Sequence, residues 1–226
     1  YAIEHCDFLF AIGSRFHDRV AGKVKEFAPG ATIAHLDIDA SEIEKVKHVD
    51  WSHVADAKRG LTQLQKAGAG FKKDFRRWRE HVAKLKTSHA LAYDTESPMI
   101  QAEYVLQQLN EITKGEAIVT TGVGQHQMWA AQYFDFRHPR LWLTSGSMGT
   151  MGFGLPAGIG AAFACPGKTV IDSDGNASIR MNIGELETVT TYNLPVKVAV
   201  LNNFGDGMVK QWQKLLFRGR LSGSDK

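Results

Sequence analysis

Cysteine is scarce in this chain: Cys6 and Cys165 are the only two among 226 residues. They stand far apart in dissimilar contexts, which excludes a disulfide framework and a metal-ligating spacing and suits a reducing, cytoplasmic compartment. Both read as buried small hydrophobes. Long apolar runs are missing too. The longest weakly polar stretch, GFGLPAGIGAAFAC (152–165), is too short and too rich in Gly and Pro to span a bilayer, which needs roughly 20 apolar residues. No initiator Met opens the chain and no signal-peptide pattern leads it, so a piece of a longer protein is expected. Neither sign of charge dominates, with 27 Lys and Arg against 24 Asp and Glu and a net charge of +3. The one dense basic stretch, KKDFRRWRE (72–80), is interrupted by acids and reads as a solvated helix face, not a nucleic-acid surface. No G-x-x-x-x-G-K-[ST] occurs, and no G-x-G-x-x-G follows a first strand, which sets aside P-loop and dinucleotide folds. The nine histidines show no metal spacing. Internal repeats and low-complexity tracts are absent.

What is present is α/β punctuation. FLFAIG (8–13) and TIAHLDID (32–39) are β-rich runs, and helical patterns follow at 41–47 and 54–66. A Gly-containing and then strongly charged passage reads as a helical connector over 67–96. From Ser97, a candidate cap followed by Pro98, a second unit begins, in which apolar strands alternate with helices. Its strands are expected at 117–121, 141–145, 169–174 and 196–203, and its later helices near 125–134, 150–163, 182–192 and 207–217. The fold class expected is α/β, a parallel sheet flanked by helices over 97–226, preceded by part of a second α/β domain over 1–66.

The strand ends of the second unit carry the chemistry. They read TTGVGQHQ (120–127), TSGSMGTMGFG (144–154), DSDGNAS (172–178) and LNNFGDGM (201–208), so each strand empties into glycines, amides, acids or hydroxyls. Ligands sit at the carboxyl ends of parallel strands. Glycines let peptide N–H groups approach a phosphate, helix N-termini favour its charge, and nearby oxygens can hold a bridging Mg²⁺. Any one such turn is weak; four along one sheet edge describe a diphosphate site.

On TTGVGQHQMWAAQ, SMGTMGFGLPAGIGAA, GNAS (175–178) and LNN (201–203), the chain resembles the diphosphate-binding domain of thiamine diphosphate-dependent enzymes, and more narrowly the large catalytic subunit of the acetolactate (acetohydroxyacid) synthase family. GMVKQWQ (207–213) is similar to that family's channel segment, and GSRFHDRVAGKVKEFAPGATIAHLDID (13–39) to its middle, FAD-binding domain. The resemblance implies a transferase of branched-chain amino-acid biosynthesis, which decarboxylates pyruvate and joins the remainder to a second 2-keto acid, pyruvate or 2-ketobutyrate. It implies thiamine diphosphate, Mg²⁺ and a largely structural FAD. It also implies a homodimer or larger homo-oligomer, leaving a regulatory small subunit open, with no nucleic-acid or membrane partner.

Carried over by position, Val123, Gly124, Gln125 and His126 would face the diphosphate, Gly149 would meet the aminopyrimidine through its backbone, and Met151 would be the wedge that bends the cofactor. Asn176, Asn203 and the Gly205 carbonyl would ligate the metal, with Ala177, Ser178 and Gly207 nearby. Met208, Val209 and Trp212 would line the channel, Met208 also touching the cofactor, with Asp18 beside it. FAD would meet Gly13, Arg15, Arg19, Asp37, Ile38 and Asp56. By residue type alone, Arg15 and Arg19 read equally as surface cations, and Met208 with Trp212 equally as core. The family's activating glutamate belongs to a domain outside this stretch, so the 226 residues alone are expected to be inactive. A related carboligase, decarboxylase or oxidase, or a non-catalytic cofactor-binding homologue, remains the alternative.

Two departures stand out. His17 sits where the family usually has an acid and reads as a surface or packing residue. The family's metal motif has an Asp where spacing puts Asn176, 27 residues before Asn203; the tempting Asp174 falls two positions too early.

Overall fold

The structure, a computed structural model, describes residues 1–224, with the side chains of Asp18 and Arg19 outside the description. The chain divides into two compact units, Tyr1–Ala90 and Leu91–Lys226.

In the first unit, a short helix α1 (Ala2–His5) leads to strand β1 (Phe8–Ile12), α2 (Asp18–Ala21), β2 (Thr32–Asp37), β3 (Trp51–Val54), α3 (Ala57–Ala67) and α4 (Arg76–Ser88). The three strands form a parallel sheet in the order β1-β2-β3, with Phe8 opposite Thr32 and Ala34 opposite Trp51. Ala11, Phe16, Ala28, Ile33 and Val49 make its core. Helix α3 lies against β2 so closely that a Cβ on Gly60 would stand 2.8 Å from both Leu36 methyls. Helix α4 buries no residue, in keeping with its charged sequence.

The second unit runs α5 (Ala102–Thr113), β4 (Ile118–Thr121), α6 (Gln125–Tyr133), β5 (Trp142–Thr144), α7 (Gly154–Ala164), β6 (Val170–Gly175), α8 (Leu186–Thr191), β7 (Val196–Leu201) and α9 (Gly207–Leu216). Its sheet is wholly parallel in the order β5-β4-β6-β7. The central strands β4 and β6 are buried along their whole length, as a sheet covered on both faces requires. One core cluster joins Ile118 and Val170 to Ala161 and Ala162 of α7; another joins Val119 and Ile171 to Phe134, with Leu109 of α5 packed against it. From β4 the chain moves to β5 on one side, then crosses to β6 on the other and continues to β7. The crevice between the carboxyl ends of β4 and β6 is therefore the topological switch point, where open α/β sheets bind ligands.

Several boundaries differ from the sequence reading. Expected helix 41–47 shrinks to a single 3₁₀ turn, Ala40–Glu42, because Glu44 takes a left-handed φ of 57°. The helix expected over 54–66 starts at Ala57, where Asp56 accepts the Arg59 N–H at 3.0 Å, and the residues before it form β3. Ser97 closes a turn by accepting from Met99 N, and the helix opens only at Ala102. Residues 150–153 precede α7, leaving Met151 in the loop, and Ile183–Glu185 are a 3₁₀ turn before α8. Cys6 and Cys165 are only partly buried.

Candidate functional site

At the switch point lies an open cleft with a cavity volume of about 140 Å³. Every strand of the second sheet contributes to it, through Val123 to His126 after β4, Gly149 and Met151 after β5, Gly175 to Ser178 at and after the end of β6, and Asn203 and Gly205 to Val209 after β7.

Its floor is peptide backbone. His126, 5% exposed, lies flat under Gly124 and Gly175, where a Cβ would come within 2.6 Å of its ring. A Cβ on Gly207 would collide with the side-chain amides of Asn203 and Gln125. Larger residues at these positions would displace the His126 ring and the two amides. Gly149 adopts φ +68°, a left-handed conformation that glycine takes without steric cost. The loop before α7 is pinned to the β6 side, since Ser178 Oγ accepts the Gly152 N–H at 2.9 Å and Asn182 donates to Gly152 O at 2.7 Å.

An amide chain crosses the cleft. Asn203 Nδ2 donates to Gln125 Oε1 at 2.9 Å, and Gln125 Nε2 to Gln211 Oε1 at 3.0 Å. It ties the N-termini of α6 and α9 together at the rim. Helix N-termini carry unsatisfied N–H groups and partial positive charge, so the pair favours an anion.

Beneath the floor, Asp172 and Asp174 point to one side of β6, both fully buried. Thr120 Oγ1 donates to Asp172 Oδ1 at 3.1 Å, and the Gly175 N–H to Asp174 Oδ1 at 2.8 Å. Asp174 Oδ1 also lies 3.2 Å from His126 Nε2. Burial first, then the neighbouring Asp174, pushes the Asp172 carboxyl up to about 7, against the lowering effect of Thr120. These acids lie under the cleft and do not line it.

Of the sequence-named residues, Val123, Gly124, Gln125, His126, Gly149, Met151, Asn176, Ala177, Ser178, Asn203, Gly205, Gly207, Met208 and Val209 all line this cleft. Trp212 does not, and it is 55% exposed. The sequence reading gave no site role to Trp129, Gly175, Leu201 and Asp206, which also line the cleft. Trp129 stands one helical turn after Gln125, a spacing that could have found it. Among the described residues, Asp206, at the N-cap of α9, is the only carboxylate in the lining.

In the first unit, Asp37 closes β2, and Gly13, Ile38 and Asp56 follow the carboxyl ends of its strands. Gly13 donates to Leu36 O at 2.8 Å, and Asp37 Oδ1 accepts the Asp39 N–H at 2.9 Å. Ile38 is 72% exposed. Arg15 follows β1, while the side chains of Asp18 and Arg19 lie outside the described residues. Among the described residues, no helix is long and apolar enough to cross a membrane.

Comparison with known proteins bears on both units. Residues 122–226 match the thiamine pyrophosphate enzyme C-terminal TPP-binding domain, and residues 1–64 the thiamine pyrophosphate enzyme central domain. The chain is 48% identical over 222 residues to acetolactate synthase 1, chloroplastic, of Nicotiana tabacum, covering 96% of this chain and 33% of that protein. It is 51% identical over 220 residues to probable acetolactate synthase 2, chloroplastic, of Oryza sativa subsp. japonica, covering 94% and 33%. With acetolactate synthase, chloroplastic, of Arabidopsis thaliana it shares 46% over 222 residues, covering 96% and 33%. The chain thus spans about a third of the length of these curated relatives.

Proposed function

Since the chain belongs to the thiamine pyrophosphate enzyme family, we propose that the full-length protein carrying it is an acetolactate synthase, joining a fragment of pyruvate to a second 2-keto acid, pyruvate or 2-ketobutyrate. The observation that carries this reading is the convergence of four strand ends on one cleft at the switch point, floored by peptide groups and rimmed by two helix N-termini.

Thiamine diphosphate, when bound, supplies the carbon–carbon bond chemistry; the protein binds, orients and shields it. Gly124, Gln125 and the N-terminus of α6 would face the diphosphate together with Gly207 at the start of α9. Gly149, whose Cβ would stand 3.9 Å from the Val123 side chain, would present backbone to the cofactor, and Met151 an apolar side chain. Asn176, Asn203 and the Gly205 carbonyl would hold Mg²⁺ through oxygen atoms, the ligand type that ion takes. Met208 and Val209 would border the substrate, with Trp212 farther along α9.

FAD is proposed at the carboxyl edge of the first sheet, on Gly13, Arg15, Arg19, Asp37, Ile38 and Asp56, with Asp18 toward the channel. Assembly as a homodimer or larger homo-oligomer, the domain division at 1–66, 67–96 and 97–226, and cytoplasmic placement belong to the same proposal. The test is turnover: the full-length protein given pyruvate, thiamine diphosphate, Mg²⁺ and FAD should form acetolactate. Consumption of pyruvate to another product would move the reading to a related decarboxylase or oxidase.

A further inference from the structure

The donor set of the cleft leads to a statement about how a metal enters it. Among the described residues, no group of three His, Cys, Asp or Glu side chains is placed to hold an ion. The oxygens that Asn176, Asn203 and Gly205 offer are two amides and a peptide carbonyl, all neutral. Asn203 Oδ1 also accepts the Gly205 N–H at 3.3 Å, which shares its lone pairs. Ser178 Oγ is engaged by the Gly152 N–H. The nearest buried acids cannot substitute. Asp172 and Asp174 are fully buried, and the Gly175 N–H holds Asp174 Oδ1 at 2.8 Å. A Cβ on Gly122 would collide with Asp174 and Ser178, so the packing there has no room for an ion. Among the described residues Asp206 is the one carboxylate in the lining, and its backbone N–H is tied to Ser224 O at 2.9 Å at the start of α9.

Mg²⁺ gives up water reluctantly and is normally held by one or two carboxylates together with substrate phosphates. Neutral amides do not repay that dehydration. A diphosphate does, because it brings the missing negative charge with it. We propose, on the cofactor reading above, that this cleft has no stand-alone divalent-cation site: the metal and the diphosphate bind only together, and Asn176 is the residue that enforces this. Asn176→Asp, nearly isosteric, places one negative charge among the same oxygens and converts the cleft into a site that holds the ion by itself.

The experiment uses the full-length protein with Mn²⁺ in place of Mg²⁺, because the EPR signal of free Mn²⁺ counts unbound ion directly and needs no turnover. With the parent protein alone, the signal should remain that of free ion into the millimolar range. With thiamine diphosphate added, it should fall by one equivalent per chain. The Asn176→Asp protein should take up Mn²⁺ without thiamine diphosphate, and its apparent thiamine diphosphate Kd at fixed sub-saturating metal should be at least about tenfold tighter, the scale of metal-affinity changes on altering a site's supporting groups. Equal Mn²⁺ uptake by parent and Asn176→Asp without thiamine diphosphate overturns the inference. So does uptake by the parent that Asp206→Asn abolishes, since Asp206 would then supply the charge. If neither protein binds thiamine diphosphate at saturating metal, the cofactor reading itself fails, a result separate from either of these.

Discussion

Asp172 is fully buried, and its Oδ2 has no hydrogen-bond partner, so its ionised form is disfavoured in the folded chain. With the folded carboxyl titrating near 7 and the unfolded one near its ordinary 3.8, the sign of the pH dependence follows. Below about pH 4 the group is protonated in both states, and its contribution to stability is complete. Between about 4 and 7 the unfolded chain ionises while the folded one does not, so stability drains by up to about 1.4 kcal/mol per pH unit and levels off above. Asp172→Asn should flatten urea midpoints across that window and leave the variant more stable than the parent at pH 8. Phe204 gives a second prediction. It holds φ 55° between the two amides and Gly205, a conformation costing a non-glycine residue about 1 kcal/mol or more. Phe204→Gly should therefore match or raise the thermal midpoint while loosening the loop that carries the Gly205 carbonyl, read as a weaker thiamine diphosphate Kd. At this scale the sequence was informative where chemistry repeats at every strand end. It was silent on Leu201 and Asp206, whose place in the cleft depends on how β7 and α9 are oriented. Nor could it show that the two cysteines would be only partly covered.

Among the elements, those with long apolar stripes or continuous β-branched runs were legible: β1, β2, β4, β6, β7, α5 and α9 appear close to where periodicity puts them. Two of the misplaced boundaries turn on side-chain capping, which can start a helix or compete locally with it. Ser97 and Asp56 are both plausible caps; Asp56 starts a helix, while Ser97 closes a turn five residues before one. Strand β3 was not expected, and Val54 alone of it fell in an expected helix, because its four residues, Trp51–Val54, are too few to display a period. It exists because it pairs with β2, a tertiary cause. The α3–β2 contact offers the test at this scale. Gly60→Val puts branched carbons where Leu36 already sits at 2.8 Å from the added Cβ, and should cost about 1–3 kcal/mol of unfolding free energy by denaturant titration. Gly30→Ala, with open space around its Cβ, is the control and should change stability by less than about 1 kcal/mol.

For the molecule as a whole, strand order fixes the site more than any single motif does. The sequence predicts parallel sheets but not the order β5-β4-β6-β7, and only that order makes the β4–β6 crevice the switch point. A ligand held there binds the folded chain alone, so thiamine diphosphate with Mg²⁺ at 100 times Kd should add about 2.7 kcal/mol to stability, seen as a rise in thermal midpoint that neither component gives singly. The most direct measurement is hydrogen exchange of the full-length protein with and without thiamine diphosphate and Mg²⁺ together. Backbone amides at 122–126, 175–178 and 203–208 should slow in concert, with little change at the opposite sheet edge. Unchanged exchange in those three stretches, at cofactor concentrations that saturate binding, would contradict the account.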